Sequence, residues 1–277
     1  MGAVAPAVDW PAFDWAAARD AYACDGVVLL PSVLDAAQLA DALSAYEWSL
    51  AHPGPGASRI RQASDALFYN DLFNPDCLTG YRAMLERSPL PGCVARLWDA
   101  PAVWFMYEQV FLKEGGEARR TPWHQDSSYL TIAGPHLAVA WIPFDPLSRA
   151  DSLEFVRGSH QGVLYNGSRF ELGDDTAPLH PGSTLPRLPD IEADRGAWDI
   201  VSWAVEPGDV IVFHPAMLHG GAPTHAGMRR RTLTLRFFGE QAYYDPREGR
   251  AGPPISGFHQ RLRAGDPFRD PVFLQLR

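Results

Sequence analysis

Two side chains able to bind a metal, His124 and Asp126, lie two positions apart in the segment TPWHQD, residues 121–126. In an extended backbone, side chains two residues apart leave the same face of the strand. An imidazole and a carboxylate on one face supply two ligands of a metal site and need a third from elsewhere. Taken alone, the pair also fits two hydrogen-bonded side chains near a turn.

His219 is the candidate for the third ligand. It follows a predicted strand at 210–213 and a short loop, and it precedes Gly220-Gly221, where the backbone can approach closely. Two histidines and one carboxylate leave coordination positions open, as in non-haem Fe(II) oxygenases. A structural zinc site would take four ligands and favour cysteine, which both segments lack. His214, five residues earlier, is the alternative third ligand.

A basic, polar strand face follows the second histidine. Arg230, Thr232, Thr234 and Arg236 alternate with Arg231, Leu233, Leu235 and Phe237. A guanidinium binds a carboxylate through two parallel hydrogen bonds. We therefore predict that Arg230 belongs to an anion-binding site, in a cavity lined by this strand. Alternatively, the three arginines at 229–231 are solvent-exposed side chains at the end of a loop and bind no anion. Arg236, farther along the same face, is a candidate contact for an anionic group of the substrate.

Short apolar runs rich in β-branched and aromatic residues must position these side chains. They are bounded by Pro, Gly or Asp, which is typical of strands. The predicted strands are 26–30, 103–113, 137–144, 152–156, 200–205, 210–213 and 232–238. Helices are predicted after Asp35, a helix N-cap, and over 90–98. The sequence predicts a mainly β sandwich or barrel braced by N-terminal helices, and a lid or a disordered stretch in the aperiodic segment 165–199.

Composition narrows the function classes. The chain has 277 residues, 46% hydrophobic and 21% charged, with a formal net charge of −9. This acidic balance argues against nucleic acid or an anionic membrane as a partner and leaves a small molecule. Three widely spaced cysteines without a CxxC motif, and no secretory segment or long apolar run, predict a cytoplasmic protein. The only lysine among the 24 Lys and Arg residues is Lys113; the Ala- and Arg-rich composition suggests a bacterial source.

Taken together, the motifs resemble the phytanoyl-CoA dioxygenase family. They are WHQD (123–126), AVAWIPFD (138–145), VRGSH (156–160), EPGDVIVFHPAMLHGG (206–221) and RRRTLTLRFF (229–238). The resemblance spans roughly 103–238 and implies a double-stranded β-helix, which is a jelly roll of cupin-like build. We expect a single domain over 1–277, with helical bracing in 1–100, the jelly-roll core at about 101–240 and a C-terminal extension in 241–277.

The resemblance also implies roles for individual residues. His124, Asp126 and His219 would bind Fe(II). Arg230 would hold the far carboxylate of 2-oxoglutarate, with Trp141 and Lys113 lining the same pocket. For the substrate, the candidates are Arg236 and Tyr129.

The implied activity is that of an Fe(II)- and 2-oxoglutarate-dependent dioxygenase. Such an enzyme uses O2 to hydroxylate, or otherwise oxidise, an unactivated C–H bond of a small organic molecule and releases succinate and CO2. The substrate would be a secondary metabolite or an acyl or amino-acid type of molecule. Because Asp126 is present, the resemblance favours oxidation over halogenation. Two alternatives remain open: a cupin-type metal-dependent hydrolase or isomerase without 2-oxoglutarate, and a jelly-roll protein that binds a ligand without turnover.

Overall fold

The computed structural model describes residues 13–61, 66–221, 223–247 and 252–277. The helices are α1 Trp15–Asp25, α2 Ala36–Ala51, α3 Leu78–Arg87, α4 Leu90–Trp98 and α5 Phe258–Arg261. The strands are β1 Val27–Leu30, β2 Ser58–Arg61, β3 Leu67–Leu72, β4 Val103–Glu114, β5 Thr121–His124, β6 Ile132–Ala133, β7 Leu137–Pro143, β8 Leu153–Val156, β9 Ile200–Val201, β10 Val210–Phe213, β11 His219–Gly221, β12 Arg230–Gly239 and β13 Tyr243–Tyr244.

Seven strands form one large sheet in the order β1-β10-β7-β12-β4-β3-β2. All of its neighbouring strands are antiparallel. Alternate residues of the central strands, among them Ala140, Leu233 and Leu235, pack with Tyr46 of α2 and Val94 of α4 in the largest apolar cluster. The N-terminal helices therefore cover the outer face of this sheet and leave its inner face for other contacts.

The inner face of the large sheet packs against a second sheet of four strands, in the order β5-β11-β8-β9. Phe155 of β8 contacts Phe213 of β10, with 5.0 Å between their ring centroids. Val139, Trp141 and Ile211 join them in a buried apolar cluster between the sheets. Two facing antiparallel sheets, not closed into a barrel, form the double-stranded β-helix that the sequence predicted. A third, two-stranded sheet pairs β13 with β6.

Most predicted elements are confirmed within a few residues. Asp35 caps α2 in a reciprocal capping box with Gln38, and α4 has the predicted bounds. The expectation of one strand in the first 90 residues was wrong, because β2 and β3 extend the large sheet. Polar residues in these strands hide the strand pattern in the sequence. Asn70 of β3, for example, is polar and accepts a hydrogen bond from Gln109 of β4. The predicted strand 200–205 forms only over Ile200–Val201.

Residues 165–199 form an irregular segment in which the only regular element among the described residues is a short 3-10 stretch, Glu192–Ala197. Ion pairs of Arg120 and Arg195 with Glu154 and Glu192 attach this stretch to the small sheet. In the described part of the chain, no helix has the length and apolar character needed to cross a membrane. The three cysteines are free.

Candidate metal centre

His124 and His219 lie directly opposite each other on neighbouring strands of the small sheet. His124 ends β5, His219 begins β11, and the two residues are paired in the antiparallel register. Their ring centroids are 4.2 Å apart. Opposed residues in an antiparallel pair present their side chains on the same face, so strand pairing alone brings together two histidines that are far apart in sequence.

Both imidazoles are oriented in the same way, by a hydrogen bond from Nδ1 to a backbone carbonyl. His124 Nδ1 lies 2.8 Å from the carbonyl oxygen of Pro122, and His219 Nδ1 lies 3.0 Å from that of Met217. Since a carbonyl only accepts, each Nδ1 carries the proton and donates it, and each Nε2 keeps a free lone pair. Histidine ligands of metals are usually fixed in this way. Burial, together with the neighbouring His124, lowers the pKa of His219 to about 4, so that ring is neutral and able to bind a metal.

Asp126 completes the set from the start of a short 3-10 turn, Asp126–Tyr129. Its Oδ1 lies 3.5 Å from His124 Nε2 and 3.9 Å from His219 Nε2. Its Oδ2 accepts a hydrogen bond of 2.7 Å from Arg236. Burial by itself would raise the pKa of this carboxyl, but the Arg236 guanidinium beside it holds its pKa well below the usual range. Asp126 is therefore an anion.

The three residues fit a metal with open coordination positions. One ligand atom from each of His124, Asp126 and His219 lies within 4.8 Å of the other two, and they form the only such group in the described residues. His214 does not belong to it, because its Nε2 lies 3.1 Å from the carbonyl oxygen of Gly134. A closed zinc site would need a fourth ligand, whereas two imidazoles and a carboxylate suit non-haem Fe(II).

A basic wall lies on the large sheet facing this centre. Arg230 of β12 is paired with Lys113 of β4, and both side chains are buried. The Arg230 guanidinium lies 5.8 Å from the centroid of Trp141, and Lys113 Nζ donates to the carbonyl oxygen of Arg119 at 3.3 Å. Burial lowers the pKa of Arg230 to about 10. Burial, with repulsion from Arg230 and Arg119, lowers the pKa of Lys113 to about 7.

The other two members of the arginine run point elsewhere. Arg231 forms an ion pair with Asp145, and Arg229 forms one with Glu114. Only Arg230 of the three is buried. The structure thus brings Arg230, Trp141 and Lys113 together on one inner wall; their binding of an anion stays a prediction.

Arg236 and Tyr129, the predicted substrate contacts, have different surroundings. Arg236 is 5% exposed and binds the metal ligand Asp126 directly. Tyr129 is half-buried, with its ring centroid 6.3 Å from that of His124 and its hydroxyl donating to the carbonyl oxygen of Ser168. Sequence reasoning missed Phe170, whose ring centroid lies only 5.2 Å from that of His124. It belongs to the aperiodic segment 165–199, where no spacing rule singles out a residue.

Known proteins with similar sequences lead to one family. The sequence model that describes phytanoyl-CoA dioxygenase (PhyH) matches residues 22–232. A probable phytanoyl-CoA dioxygenase of Caenorhabditis elegans is 29% identical over 114 residues, 40% of this chain and 34% of that protein. The peroxisomal phytanoyl-CoA dioxygenase of Homo sapiens is 25% identical over 134 residues, 47% of this chain and 37% of that protein. The chain thus matches little more than a third of the length of these relatives.

Solved structures with the same fold cover nearly the whole chain. The epimerase SnoN of nogalamycin biosynthesis, in complex with Fe3+, alpha ketoglutarate and nogalamycin RO, has a TM-score of 0.68 at 18% identity over 95% of this chain and 98% of its own. The alpha ketoglutarate dependent carbocyclase SnoK has a TM-score of 0.68 at 19% identity over 94% of this chain and 96% of its own. At these identities the likeness is one of fold. Because the family's sequence model covers most of the chain, the chain belongs to the phytanoyl-CoA dioxygenase family.

Proposed function

We propose that this protein is an Fe(II)- and 2-oxoglutarate-dependent dioxygenase that oxidises an unactivated C–H bond of a small organic molecule. The observation that carries the proposal is the buried group of His124, Asp126 and His219. This group faces the wall of the large sheet that holds the buried side chains of Arg230 and Lys113. A cupin-type hydrolase or isomerase would need the metal group but not that wall. A protein that only binds a ligand would not need the metal group and the buried basic residues together.

The metal would be held by His124 Nε2, His219 Nε2 and Asp126 Oδ1, the three atoms that converge between the strands. When bound, iron supplies the redox chemistry that couples decarboxylation of 2-oxoglutarate by O2 to substrate oxidation, with succinate and CO2 as co-products. The chain's own part is to orient both imidazoles so that their Nε2 atoms face the metal, through the hydrogen bonds of Nδ1 to the backbone.

Arg230 and Lys113 would bind the distal carboxylate of 2-oxoglutarate. Two cations on a buried, partly aromatic wall are costly to desolvate, and an anionic ligand offsets that cost. Trp141 packs beside the guanidinium and belongs to the apolar cluster between the sheets. We infer that this cluster excludes water from the cosubstrate, which strengthens each ionic contact in the pocket.

The substrate would enter on the side of His124 that Tyr129 and Phe170 flank. The two aromatic rings lie 6.1 Å apart, centroid to centroid, and Phe170 is 37% exposed. Phe170 also has a φ of 55°, a left-handed conformation that is unusual for a residue with a bulky side chain. Such backbone strain is found mainly at functional sites. This arrangement favours residues 165–199 as the segment that covers the substrate.

The test is an anaerobic titration of the Fe(II)-loaded protein with 2-oxoglutarate, followed by the weak visible charge-transfer band of a chelated keto acid. We expect the band to appear in the native protein and to be lost in His219→Ala. The matched control is His214→Ala, since His214 is also buried but lies outside the metal group; this variant should keep the band.

Each outcome decides between the proposals. If iron binds but no band develops, the cosubstrate assignment fails and a metal-dependent hydrolase or isomerase becomes the better interpretation. If iron does not bind, the ligand-binding alternative takes its place. If the band appears and then decays on admission of O2 with release of succinate, the dioxygenase proposal stands.

A further inference from the structure

We propose that Arg236 is a positioning residue that restricts Asp126 to one metal-binding oxygen. Oδ1 of Asp126 faces the two histidines, while Oδ2 is engaged by the Arg236 guanidinium at 2.7 Å. The part of this inference that concerns 2-oxoglutarate rests on the proposed function. The part that concerns the metal geometry does not.

Both terminal nitrogens of Arg236 are engaged by neighbouring side chains, whereas its buried Nε has no hydrogen-bond partner among the described residues. One terminal nitrogen donates to Thr234 Oγ1 at 3.1 Å, and the other donates both to Gln109 Oε1 at 2.8 Å and to Asp126. The guanidinium lies over the Tyr107 ring, 4.5 Å from its centroid. A guanidinium fork is rigid and planar, so these contacts also fix the direction from which it approaches Asp126.

The large sheet sets the position of Arg236. Its strand β12 pairs with β4 through Arg236 opposite Tyr107, and the register then shifts so that Phe237 lies opposite Phe105. The extra residue on β4 at this point is Met106. Bulges of this kind are common beside active sites, where they re-aim a side chain. Arg236 thus reaches across from the large sheet to a metal ligand that belongs to the other side of the cavity.

The consequence concerns the number of coordination positions. A carboxylate can bind a metal through one oxygen or two. With two histidines and one carboxylate oxygen, a six-coordinate metal keeps three positions, enough for a bidentate keto acid and one further ligand. If Asp126 bound through both oxygens, it would take one of those positions. By occupying Oδ2, Arg236 keeps the position open.

We would test this with Co2+, whose visible spectrum reports coordination number, on Arg236→Met, Arg236→Lys and Arg231→Met. Methionine keeps much of the side-chain volume and removes every donor, whereas lysine keeps the charge and a donor. Arg231→Met is the matched control, because Arg231 lies on the opposite face of β12 and forms a partly buried ion pair of its own with Asp145.

We expect Arg236→Met to retain Co2+ binding but with an altered visible spectrum, and to bind 2-oxoglutarate to the Co2+ form about 10–100-fold more weakly, the size of loss that substitution of a residue hydrogen-bonded to a metal ligand causes in metal affinity or activity. Arg236→Lys should restore most of the native spectrum and affinity. Arg231→Met should leave both unchanged. This separation between metal affinity and keto-acid affinity is not expected of a residue that only stabilises the fold.

The proposal is overturned if Arg236→Met keeps the native Co2+ spectrum and binds 2-oxoglutarate within twofold of the native protein. It is equally overturned if Arg236→Met and Arg236→Lys lose Co2+ and the cooperative thermal transition together. Should Arg236→Met fail to fold, Arg236→Lys carries the test through its spectrum. If the native protein binds Co2+ but no 2-oxoglutarate, the proposed function fails, and the Co2+ spectra alone decide the role of Arg236.

Discussion

Lys113 and Arg230 lie side by side on a buried wall, and burial lowers the pKa of both side chains. Burial is the main cause of the low pKa of Lys113, about 7, and the charges of Arg230 and Arg119 add to it. Near neutral pH this lysine is therefore about half protonated before any anion binds. A carboxylate beside it favours the charged form, so anion binding at this pocket takes up a proton.

The affinity for 2-oxoglutarate should consequently depend on pH. Below pH 7 Lys113 is already protonated and the affinity should be flat. Above pH 7 the proton must be acquired on binding, so the dissociation constant should rise, approaching about tenfold per pH unit. Titrations of the metal-loaded protein between pH 6 and pH 9 measure this slope. Lys113→Arg is the control, since a guanidinium stays charged throughout this range; an equal slope in that variant would assign the effect to another group.

The sequence showed some of these residues and hid others for physical reasons. His124 and Asp126 were visible because they are two residues apart, and Arg230 was visible because its strand alternates. The partnership of Arg236 with Asp126 was not visible, because it joins residues 110 positions apart through space. Sequence reasoning placed Arg236 on the correct face of its strand but proposed a substrate as its partner.

At the scale of elements, residues 165–199 differ from the sheets that they adjoin. Arg119, just before β5, is the main link described for the part around Phe170: its guanidinium donates to the Phe170 carbonyl oxygen at 2.7 Å and to Asp175 at 2.9 Å. A strained left-handed residue persists only where its surroundings hold it in place. These two bonds supply such a constraint on Phe170.

Removing that link should loosen the segment without altering the metal centre. In Arg119→Met we expect amide hydrogen exchange in residues 168–177 to become about tenfold faster or more, because local opening then costs less free energy. Arg169→Met is the control, because its ion pair with Glu171 lies within the same segment and does not connect it to the sheets. Unchanged exchange in Arg119→Met, or an equal increase in both variants, would argue against Arg119 as the anchor.

Elements with strong periodicity were predicted well, and the exceptions are instructive. Helix α2 carried both a capping box and apolar spacing, and strands β4, β7 and β10 are apolar and bounded by turn residues. Strands β2 and β3 were missed because they are short and mix polar with apolar residues, without a clear alternation. In the large sheet β3 pairs with β4 and β2 pairs with β3, and local sequence does not encode these pairings.

At the scale of the whole molecule, the site is divided between the two sheets. The two histidines belong to β5 and β11 of the small sheet, and Lys113 and Arg230, the pair proposed to bind an anion, belong to β4 and β12 of the large sheet. A ligand that binds the metal at one end and Arg230 at the other would therefore connect the two sheets. Ligands that bind only the folded state stabilise it in proportion to the logarithm of their concentration over the dissociation constant.

Thermal unfolding should reveal this connection. Co2+ alone should raise the melting temperature, 2-oxoglutarate alone should raise it little, and both together should raise it by more than the sum of the two. At one hundred times the dissociation constant each ligand contributes about 2.7 kcal/mol, which corresponds to a shift of about 5–10 °C for a chain of this size. His219→Ala should show no such synergy. Additive shifts in the native protein would mean that the two ligands bind independently.

The orientation of both histidine ligands relies on main-chain acceptors, the carbonyl oxygens of Pro122 and Met217. Every residue type carries that carbonyl, so substitutions around the ligands leave the acceptors in place as long as the strands pair. The side chains of Tyr129 and Phe170 take no part in this orientation. The direction of the two imidazoles and the shape of the surface proposed to meet the substrate are therefore set by separate parts of the chain, so a substitution on that surface leaves the histidine ligands oriented as before.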